Sequence, residues 1–195
     1  MPDSVKREYI EKFLIQMANV GTSGDDDTIS QKFLLVLNGR QGVGKSIWLR
    51  SLVPNFFGTS YFKSDCTCNR KIKNPSIEQS SVLLIEWVDL MPKDKKNAEN
   101  IKAYITSPYD FIKMPYTKDI CRIKRRMCLC SSTADESFQY EVDDPYIAVI
   151  YCNEINYMHN VDMDGVWGQV WRQKMNGAQF CLAEDSHLDP IDETL

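Results

Sequence analysis

The chain carries a glycine-rich segment between an apolar run and a helical pattern, and this combination restricts the fold more than any other feature. Four residues occupy every fixed position of the pattern Gly-x-x-x-x-Gly-Lys-Ser/Thr: Gly39, Gly44, Lys45 and Ser46. The apolar run at 33–37 is typical of a buried strand, and residues 47–53 have apolar side chains at helical intervals. Strand, glycine loop and helix therefore follow one another in the order expected of a parallel α/β fold.

The residue types in this loop indicate a phosphate ligand. Glycines let the backbone bend so that successive N–H groups converge on phosphate oxygens. A lysine at position 45 reaches the β and γ phosphates, and the hydroxyl of Ser46 holds Mg²⁺. We therefore expect a nucleoside triphosphate to be bound by Gly39, Arg40, Gln41, Gly42, Val43, Gly44, Lys45, Ser46 and Ile47. A glycine-rich turn that binds nothing is the alternative, and the flanking strand and helix argue against it.

A second apolar run, at 81–85, leads directly into Glu86, and Asp89 follows three residues later. A nucleotide site needs a carboxylate beside the phosphate loop to hold Mg²⁺, and a second one to orient the attacking water. We therefore predict that Ser46 and Glu86 hold the metal and that Lys45, Glu86 and Asp89 are catalytic. The alternative is that both acidic residues simply begin the next loop and helix, where acidic side chains are common.

Composition constrains the size and the cellular location of the protein more than its activity. With 195 residues, 43% of them hydrophobic, the chain is long enough for one substantial core and is expected to form one globular unit. Its seven cysteines form an odd set without a Cys-x-x-Cys pair, and no run is long and apolar enough for a signal segment or a membrane span. A reducing cytoplasm is the expected location. Cys66 and Cys68 suggest zinc, but unpaired thiols are the better interpretation because no second ligand pair has usable spacing.

The charges are distributed unevenly along the chain. A net charge of -4 argues against wholesale electrostatic binding of nucleic acid. Residues 113–126, however, contain six basic side chains against one acidic one, whereas residues 127–171 contain no lysine or arginine. The first of these segments is therefore the one suited to phosphates, and the second would repel them.

The basic segment has the pattern of a hairpin. Two short runs, 111–116 and 121–124, flank residues 117–120, and this arrangement places Lys118 near the tip. We predict that nucleic acid contacts this excursion through Lys118 and the basic residues of 122–126, which are Arg122, Lys124, Arg125 and Arg126. A solvated surface loop with scattered lysines is the alternative.

The remaining pattern predicts helices at 5–20 and 94–107, a short buried strand at 127–130, and a helix in which Val166, Trp167, Val170 and Trp171 bury one face. Polar residues 131–133 follow the strand, where one of them could sense the γ-phosphate. Neither His159 nor His187 is assigned a role, because histidine catalysis needs partners that the sequence lacks. The predicted organisation is an N-terminal helix and exposed linker (1–30), a P-loop ATPase domain (31–183) and an acidic tail (184–195).

Four blocks carry a resemblance to a known family: residues 35–46, 85–90, 101–106 continuing to 115–116, and 164–167. With them the chain resembles the virulence-associated protein E family. These are P-loop ATPases of phages, plasmids and pathogenicity islands, related to superfamily 3 helicases of the AAA+ class. The first block is general to P-loop proteins, whereas the middle two resemble this family in particular.

The resemblance implies an ATPase module of a primase-helicase type replication protein from a mobile element, working as a homo-oligomeric ring on DNA. It gives Lys45 and Ser46 the phosphate and Mg²⁺ roles, and Glu86 and Asp89 the acidic roles. Tyr116 and Lys118 fall at the family's Pro-Tyr-Gly-Arg loop, where Thr-Lys replaces Gly-Arg in this chain.

Two departures from the family concern hydrolysis. Ser132, Thr133 and Ala134 stand where members usually have Thr-Thr-Asn, so the amide that would position the attacking water is missing. The family's Gly-x-Arg-Arg-Phe stretch should lie near 145–147, which contains no arginine. A transition-state arginine accounts for several orders of magnitude in rate. Its role falls to Arg125, Arg126, Arg172 or another subunit, and the sequence leaves these alternatives open.

The expected fold is an α/β P-loop NTPase of the AAA+/superfamily 3 helicase type, with a largely parallel central sheet flanked by helices and with ATP and Mg²⁺ at the strand ends. ATP hydrolysis coupled to movement on DNA is the first hypothesis. A catalytically degenerate protein that binds nucleotide for regulation or assembly is the second. A small-molecule kinase is a third, for which the chain offers no recognisable lid arginines or acceptor site.

Overall fold

A parallel β-sheet forms the centre of the molecule. The structure is a computed structural model and describes residues 2–55, 59–65, 81–88, 95–114, 119–134 and 145–182. The strands in these ranges are β1 (Leu34–Asn38), β2 (Phe62–Asp65), β3 (Leu84–Val88), β4 (Tyr109–Lys113), β5 (Ile120–Lys124), β6 (Cys128–Thr133) and β7 (Ile147–Tyr151). Five of them form one sheet in the order β2-β3-β6-β1-β7, and every neighbouring pair is parallel. The predicted α/β class with a largely parallel sheet is confirmed.

The strand β1 lies between β6 and β7. At its carboxyl end Asn38 pairs with Thr133 of β6 and with Tyr151 of β7. All five residues of β1 are buried. A parallel strand covered on both faces is apolar on both faces, which explains the unbroken apolar run in the sequence.

Helices cover the two faces of the sheet. In the described ranges they are α1 (Asp3–Gly21), α2 (Lys45–Ser51), α3 (Lys95–Thr106) and α4 (Met163–Met175). Successive side chains of β1 point to opposite faces. Leu35 and Leu37 therefore join a core built with α1, α2 and α4. Leu34 and Val36 join a second core, to which α3 contributes Ile101, Tyr104 and Ile105.

The strand that carries Glu86 lies later in the chain than the sequence predicts. The prediction ends it at residue 85, whereas β3 continues to Val88 because its residues pair with β6 from Cys128 to Ser132. Glu86 is consequently a strand residue with no exposed surface. The alternative that Glu86 opens the following loop is wrong, and Asp89 lies outside the described residues.

Two strands, β6 and β7, differ from the sequence-based prediction. The predicted strand at 127–130 extends through three polar residues to Thr133, because β6 pairs with β1 on one side and β3 on the other. The strand β7 has no counterpart in the sequence-based prediction. It pairs with the other side of β1, from Ile147 to Tyr151. Pairing accounts for the polar end of β6, whereas the apolar run Ile-Ala-Val-Ile of β7 is itself typical of a strand and was overlooked in the prediction.

The predicted hairpin is present as the antiparallel pair β4 and β5. A buried ion pair between Arg125 and Asp110 holds its base, with Nε and Oδ2 3.1 Å apart and both residues less than 10% exposed. Arg125 also donates to the backbone oxygen of Tyr104 and lies over its ring, with Cζ 4.1 Å from the centroid. The hairpin is thereby joined to α3. Tyr116 and Lys118 lie outside the described residues.

The last described helix begins after Asp162, whose carboxylate accepts a hydrogen bond from the Gly165 N–H at 3.1 Å. Val170 is buried on this helix, and Val166 and Trp167 pack against the core. Trp171 is 46% exposed, so its predicted burial is wrong. Its position on the outer side of the helix allows the Lys174 ammonium to lie 4.4 Å from the ring centroid.

The N-terminal helix shares a core with the sheet and α4. Phe13, Met17 and Val20 are among the buried side chains through which it does so. In the part of the chain that the structure describes, no helix combines the length and apolar character needed to cross a bilayer. The division at residues 30 and 183 stays a prediction, since residues 183–195 lie outside the described ranges.

Candidate functional site

The glycine loop leaves the carboxyl end of β1 and leads into α2. The N–H of Gly39 donates to the Thr133 oxygen at 3.1 Å, and the N–H of Cys152 donates to the Asn38 oxygen at 2.7 Å. Both neighbouring strands therefore fix the start of the loop. A Cβ on Gly39 would lie 2.1 Å from the Cys152 oxygen, so no side chain fits at this position.

Gly44 closes the loop in a left-handed conformation, with φ of 91°. A Cβ at this position would lie 2.1 Å from Cδ1 of Tyr157, whose ring covers the loop. Gly44 is also the residue from which α2 begins, and its carbonyl accepts from the Trp48 N–H at 2.9 Å. The loop's fixed glycines are thus required by the packing of the segment after β7 as well as by backbone conformation.

Lys45 lies with its ammonium group against the loop. Its Nζ donates to the backbone oxygens of Gly39 and Arg40 at 2.6 and 2.8 Å, and the residue is 8% exposed. An ammonium has three donors, so these two contacts fix its position and leave a third donor for an anion. A buried positive charge beside the glycine loop is suited to phosphate.

Glu86 lies beside the loop as the acidic part of the site. Ser46 Oγ donates to Oε1 of this carboxylate at 2.7 Å, and Ser132 Oγ donates to the same oxygen at 2.5 Å. The other oxygen, Oε2, is buried and has no hydrogen-bond partner among the described residues. A buried acceptor without a partner is costly, and such an atom commonly marks a functional position.

These oxygens suit a hard divalent cation. Mg²⁺ prefers oxygen ligands, and in nucleotide sites it takes one or two from the protein and the rest from phosphates and water. Since the Ser46 hydroxyl donates a hydrogen bond to Glu86, its lone pairs remain for a cation, and Oε2 offers a second acceptor. The residues present therefore fit the predicted Mg²⁺ ligands. The described ranges contain no group of three or more His, Cys, Asp or Glu side chains that could hold a metal by themselves, and Cys66 and Cys68 lie outside those ranges.

A neighbouring thiol stays neutral beside this carboxylate. Cys130 faces Glu86 in the register of β3 and β6 and is completely buried. Burial raises the pKa of the Cys130 thiol well above its usual value, and the negative charge of Glu86 adds to the shift. The thiol therefore adds no second negative charge beside the carboxylate.

A cavity of about 430 Å³ opens over these groups. Gln41, Gly42, Gly44, Lys45, Ser46 and Ile47 line one side of it, and Val88, Ser132, Thr133 and Ala134 line the other. The structure thus brings together most of the predicted loop residues and the ends of β3 and β6. Glu86 lies beneath this lining, in contact with two of its serines.

The predicted substitutes for the missing arginine lie elsewhere. Arg125 is buried in its ion pair with Asp110, and Arg126 donates to the Ser23 oxygen and to Asp25. Arg172 is exposed on α4 and donates weakly to the Gly168 oxygen at 3.4 Å. Among the described residues that line the cavity, none is an arginine.

The basic segment is less available to nucleic acid than the sequence predicts. Lys124 is 4% exposed because its ammonium donates to the Asp27 and Ile29 oxygens at 2.8 and 2.6 Å. Burial lowers the pKa of Lys124. The prediction that Lys124 and Arg125 face nucleic acid is wrong. Arg122 is exposed and lies over the Tyr109 ring, with Cζ 4.4 Å from the centroid.

Sequence reasoning did not find two contributors to the site. Tyr157 covers Gly44, and the Cys152 backbone closes over Gly39, although both residues are more than 100 positions away along the chain. Neither belongs to a recognisable motif. The only available signal was the pair of motif glycines, whose lack of a side chain indicated that some other group approaches closely.

The fold and sequence have identifiable relatives. The family model of the virulence-associated protein E-like domain matches residues 1–188. The chain is similar in fold to two apo structures of the NrS-1 C-terminal region, each with 15% sequence identity. For the first structure the TM-score is 0.52, and the match covers 92% of this chain and 45% of the NrS-1 chain. For the second the TM-score is 0.51, and the match covers 97% of this chain and 47% of the NrS-1 chain.

This chain therefore spans less than half the length of those NrS-1 structures. A comparison with curated protein sequences finds no match. At this identity the structural likeness concerns the fold, whereas the family match covers nearly the whole chain. The chain belongs to the virulence-associated protein E-like domain family.

Proposed function

We propose that this chain is the ATP-binding and ATP-hydrolysing module of a primase-helicase type DNA replication protein from a mobile genetic element. In this proposal it is a P-loop NTPase of the AAA+/superfamily 3 helicase type and acts in the cytoplasm. The observation that carries the proposal is the Ser46–Glu86 hydrogen bond beside the buried ammonium of Lys45, at the carboxyl ends of β1 and β3. Ligands of parallel α/β sheets bind at this edge.

Each group has a distinct role in the proposed reaction. Backbone N–H groups of the loop and the Lys45 ammonium bind the phosphates and offset their charge. Ser46 and Glu86 hold Mg²⁺, which when bound neutralises charge on the β and γ phosphates. Asp89, which follows β3 in the sequence, is proposed to orient the attacking water.

An arginine for the transition state is proposed to come from a neighbouring subunit. The described lining of the cavity contains none, and Arg125 is already committed to Asp110. A homo-oligomeric ring would bring an arginine of one copy to the cavity of the next. Such an arginine is worth roughly 10³–10⁵ in rate, so hydrolysis in this proposal depends on assembly.

The hairpin is the proposed contact for DNA. One face of β4 and β5 exposes Phe111, Lys113 and Arg122 together, with Phe111 67% exposed. Aromatic rings that stack on bases, beside cations that contact phosphates, are the usual means of binding single strands. Lys118, which lies between these strands in the sequence, is proposed to add a further contact.

A degenerate nucleotide-binding protein is the second candidate. Ala134 lines the cavity at the place where family members usually have asparagine. Without that amide and an arginine, bound ATP could stabilise an assembly without being hydrolysed. This candidate shares the nucleotide site of the first and differs only in turnover.

Phosphate release measured with and without single-stranded DNA tests the proposal. Wild-type protein is expected to release phosphate only when Mg²⁺ is present. Lys45→Ala and Glu86→Gln are each expected to lower the rate by roughly 10²–10³-fold, a range typical for loss of one charge-stabilising group. Fluorescent mant-ATP binding should persist in Glu86→Gln, because the phosphates are held mainly by the loop and Lys45.

Two controls separate the candidates. Lys12→Ala removes a lysine of α1 that pairs with Glu8, and it should leave the rate unchanged. Wild-type protein that binds mant-ATP but turns over no faster than Lys45→Ala would favour the degenerate candidate. If wild-type protein does not bind mant-ATP, both candidates fail.

A further inference from the structure

Both hydroxyl donors to Glu86 contact the same carboxylate oxygen. Ser46 and Ser132 donate to Oε1, at 2.7 and 2.5 Å, while the buried Oε2 has no partner among the described residues. A carboxylate oxygen accepts about two hydrogen bonds in its plane, so Oε1 is saturated and Oε2 keeps its full accepting capacity. The two oxygens of Glu86 therefore have different functions available to them.

The two donors are held by different parts of the molecule. Ser46 lies in α2, directly after the glycine loop, whose contacts would change with a ligand. Ser132 lies in β6, paired with Leu37 of β1 on one side and Val88 of β3 on the other, and is 4% exposed. A donor on a central strand fixes its acceptor more rigidly than one beside a loop. Ser132 is thus the contact that keeps the Glu86 carboxylate in place.

We propose that Ser132 is a positioning residue for divalent-cation binding, because its hydroxyl holds Oε1 of Glu86 and leaves the remaining lone pairs of the carboxylate to the cation. The inference rests on the proposed function, since the cation in question accompanies the nucleotide. Outer-shell hydrogen bonds of this kind typically change metal affinity by about 10- to 100-fold when they are removed. Ser132 acts through Glu86 and is not itself a catalytic residue.

The neighbouring Ser131 provides a matched control. Its Oγ donates to the Trp87 backbone oxygen at 2.8 Å, and the residue has no exposed surface. As the adjacent residue of a strand, it projects to the opposite face of the sheet. Ser131→Ala and Ser132→Ala therefore each remove one serine hydroxyl from the same buried strand, but only Ser132→Ala removes a donor to Glu86.

The test measures mant-ATP affinity once in EDTA and once in excess Mg²⁺, and takes the ratio as the contribution of the cation. Ser132→Ala is expected to lower this ratio by about 10-fold or more, with the affinity in EDTA unchanged. Ser131→Ala should leave the ratio as in wild type. Ser132→Thr keeps a hydroxyl and should restore most of the effect. Ser132→Cys, close to serine in volume but a weak donor, carries the test if the alanine variant does not fold.

The outcomes distinguish this inference from the function on which it rests. A wild-type ratio in Ser132→Ala and Ser132→Cys overturns the inference alone, as does an equal fall in the Ser131 and Ser132 variants. Wild-type protein that fails to bind mant-ATP in either condition overturns the proposed function and the inference with it. Steady-state kinetics add a second readout, because Ser132→Ala should raise the Mg²⁺ concentration for half-maximal rate.

Discussion

At the scale of the residue, Gly44 combines two requirements that only glycine satisfies. Its φ of 91° is rarely adopted by other residues, and the space where a Cβ would lie is filled by the Tyr157 ring. The same residue begins α2, next to Lys45 and Ser46. A change at Gly44 therefore affects both stability and the position of the two side chains proposed to bind phosphate and cation.

Gly44→Ala is expected to lower the free energy of unfolding by about 1–3 kcal/mol, through backbone strain and overpacking against Tyr157. It should also weaken mant-ATP binding, because relief of the contact shifts the loop. Urea denaturation and a fluorescence titration measure the two effects.

Gly168→Ala is the control, since a Cβ at that position in α4 meets nothing within 4 Å. Alanine there should stabilise the helix by roughly 0.5–1 kcal/mol. Wild-type stability in Gly44→Ala would show that position 44 does not require glycine.

At the scale of the element, the hairpin divides its basic residues between two uses. Lys124 and Arg125 bind backbone oxygens and Asp110, and so hold the hairpin to the rest of the molecule. Arg122, Lys113 and Phe111 remain on its exposed face. A count of charges along the sequence cannot separate these uses, because the distinction depends on which residues pack against the base of the hairpin.

Arg122→Glu is expected to weaken binding of single-stranded DNA by about tenfold or more and to reduce its salt dependence, because a phosphate contact is lost. Fluorescence anisotropy of a labelled oligonucleotide over a range of salt concentrations measures both. Arg7→Glu makes the same charge change on an exposed residue of α1 and should have a much smaller effect. Equal losses in the two variants would indicate a general effect of net charge and would refute a specific role for the hairpin.

At the scale of the whole molecule, the central strand β6 carries two completely buried thiols, Cys128 and Cys130. Burial raises the pKa of both thiols above the ordinary value of 9.0. The folded protein therefore keeps these protons at a pH where the unfolded chain releases them. The contribution of the two neutral thiols to the free energy of unfolding is complete below about pH 9. It falls as the pH rises further, because deprotonation favours the unfolded chain.

The free energy of unfolding is expected to fall above pH 9, by about 1.4 kcal/mol per pH unit for each buried thiol. Denaturation curves between pH 8 and 10 measure the slope. Cys128→Ala should be less stable overall but should show a shallower slope, whereas Cys181→Ala removes an exposed thiol and should leave it unchanged. Burial raises the pKa of Tyr104 to about 12, so titration of this phenol lowers the free energy of unfolding only above pH 10. Identical slopes in wild type and Cys128→Ala would refute the assignment to buried thiols.

The chain's local pattern predicted the element around the glycine loop because every determinant of that element is local. An apolar run, glycines at fixed spacing and a helical repeat lie within about 20 consecutive residues, and each acts through backbone conformation or hydrophobic burial. The same reasoning predicted the antiparallel hairpin and the parallel α/β class. Glu86 was predicted for the site as well, because the carboxyl ends of parallel strands meet at the edge of the sheet where ligands bind.

The tertiary structure decided what depends on pairing between distant segments. Pairing with β1 extended β6 through three polar residues to Thr133. It also placed β7, an apolar run that the prediction overlooked, at the edge of the sheet beside β1. The pairing of β3 with β6 brought the Ser132 hydroxyl to Glu86, 46 positions away. Packing buried Lys124 and Arg125 and brought Tyr157 over Gly44. Sequence alone specifies what each side chain can do chemically. The free energy of packing and strand pairing determines which side chains come into contact.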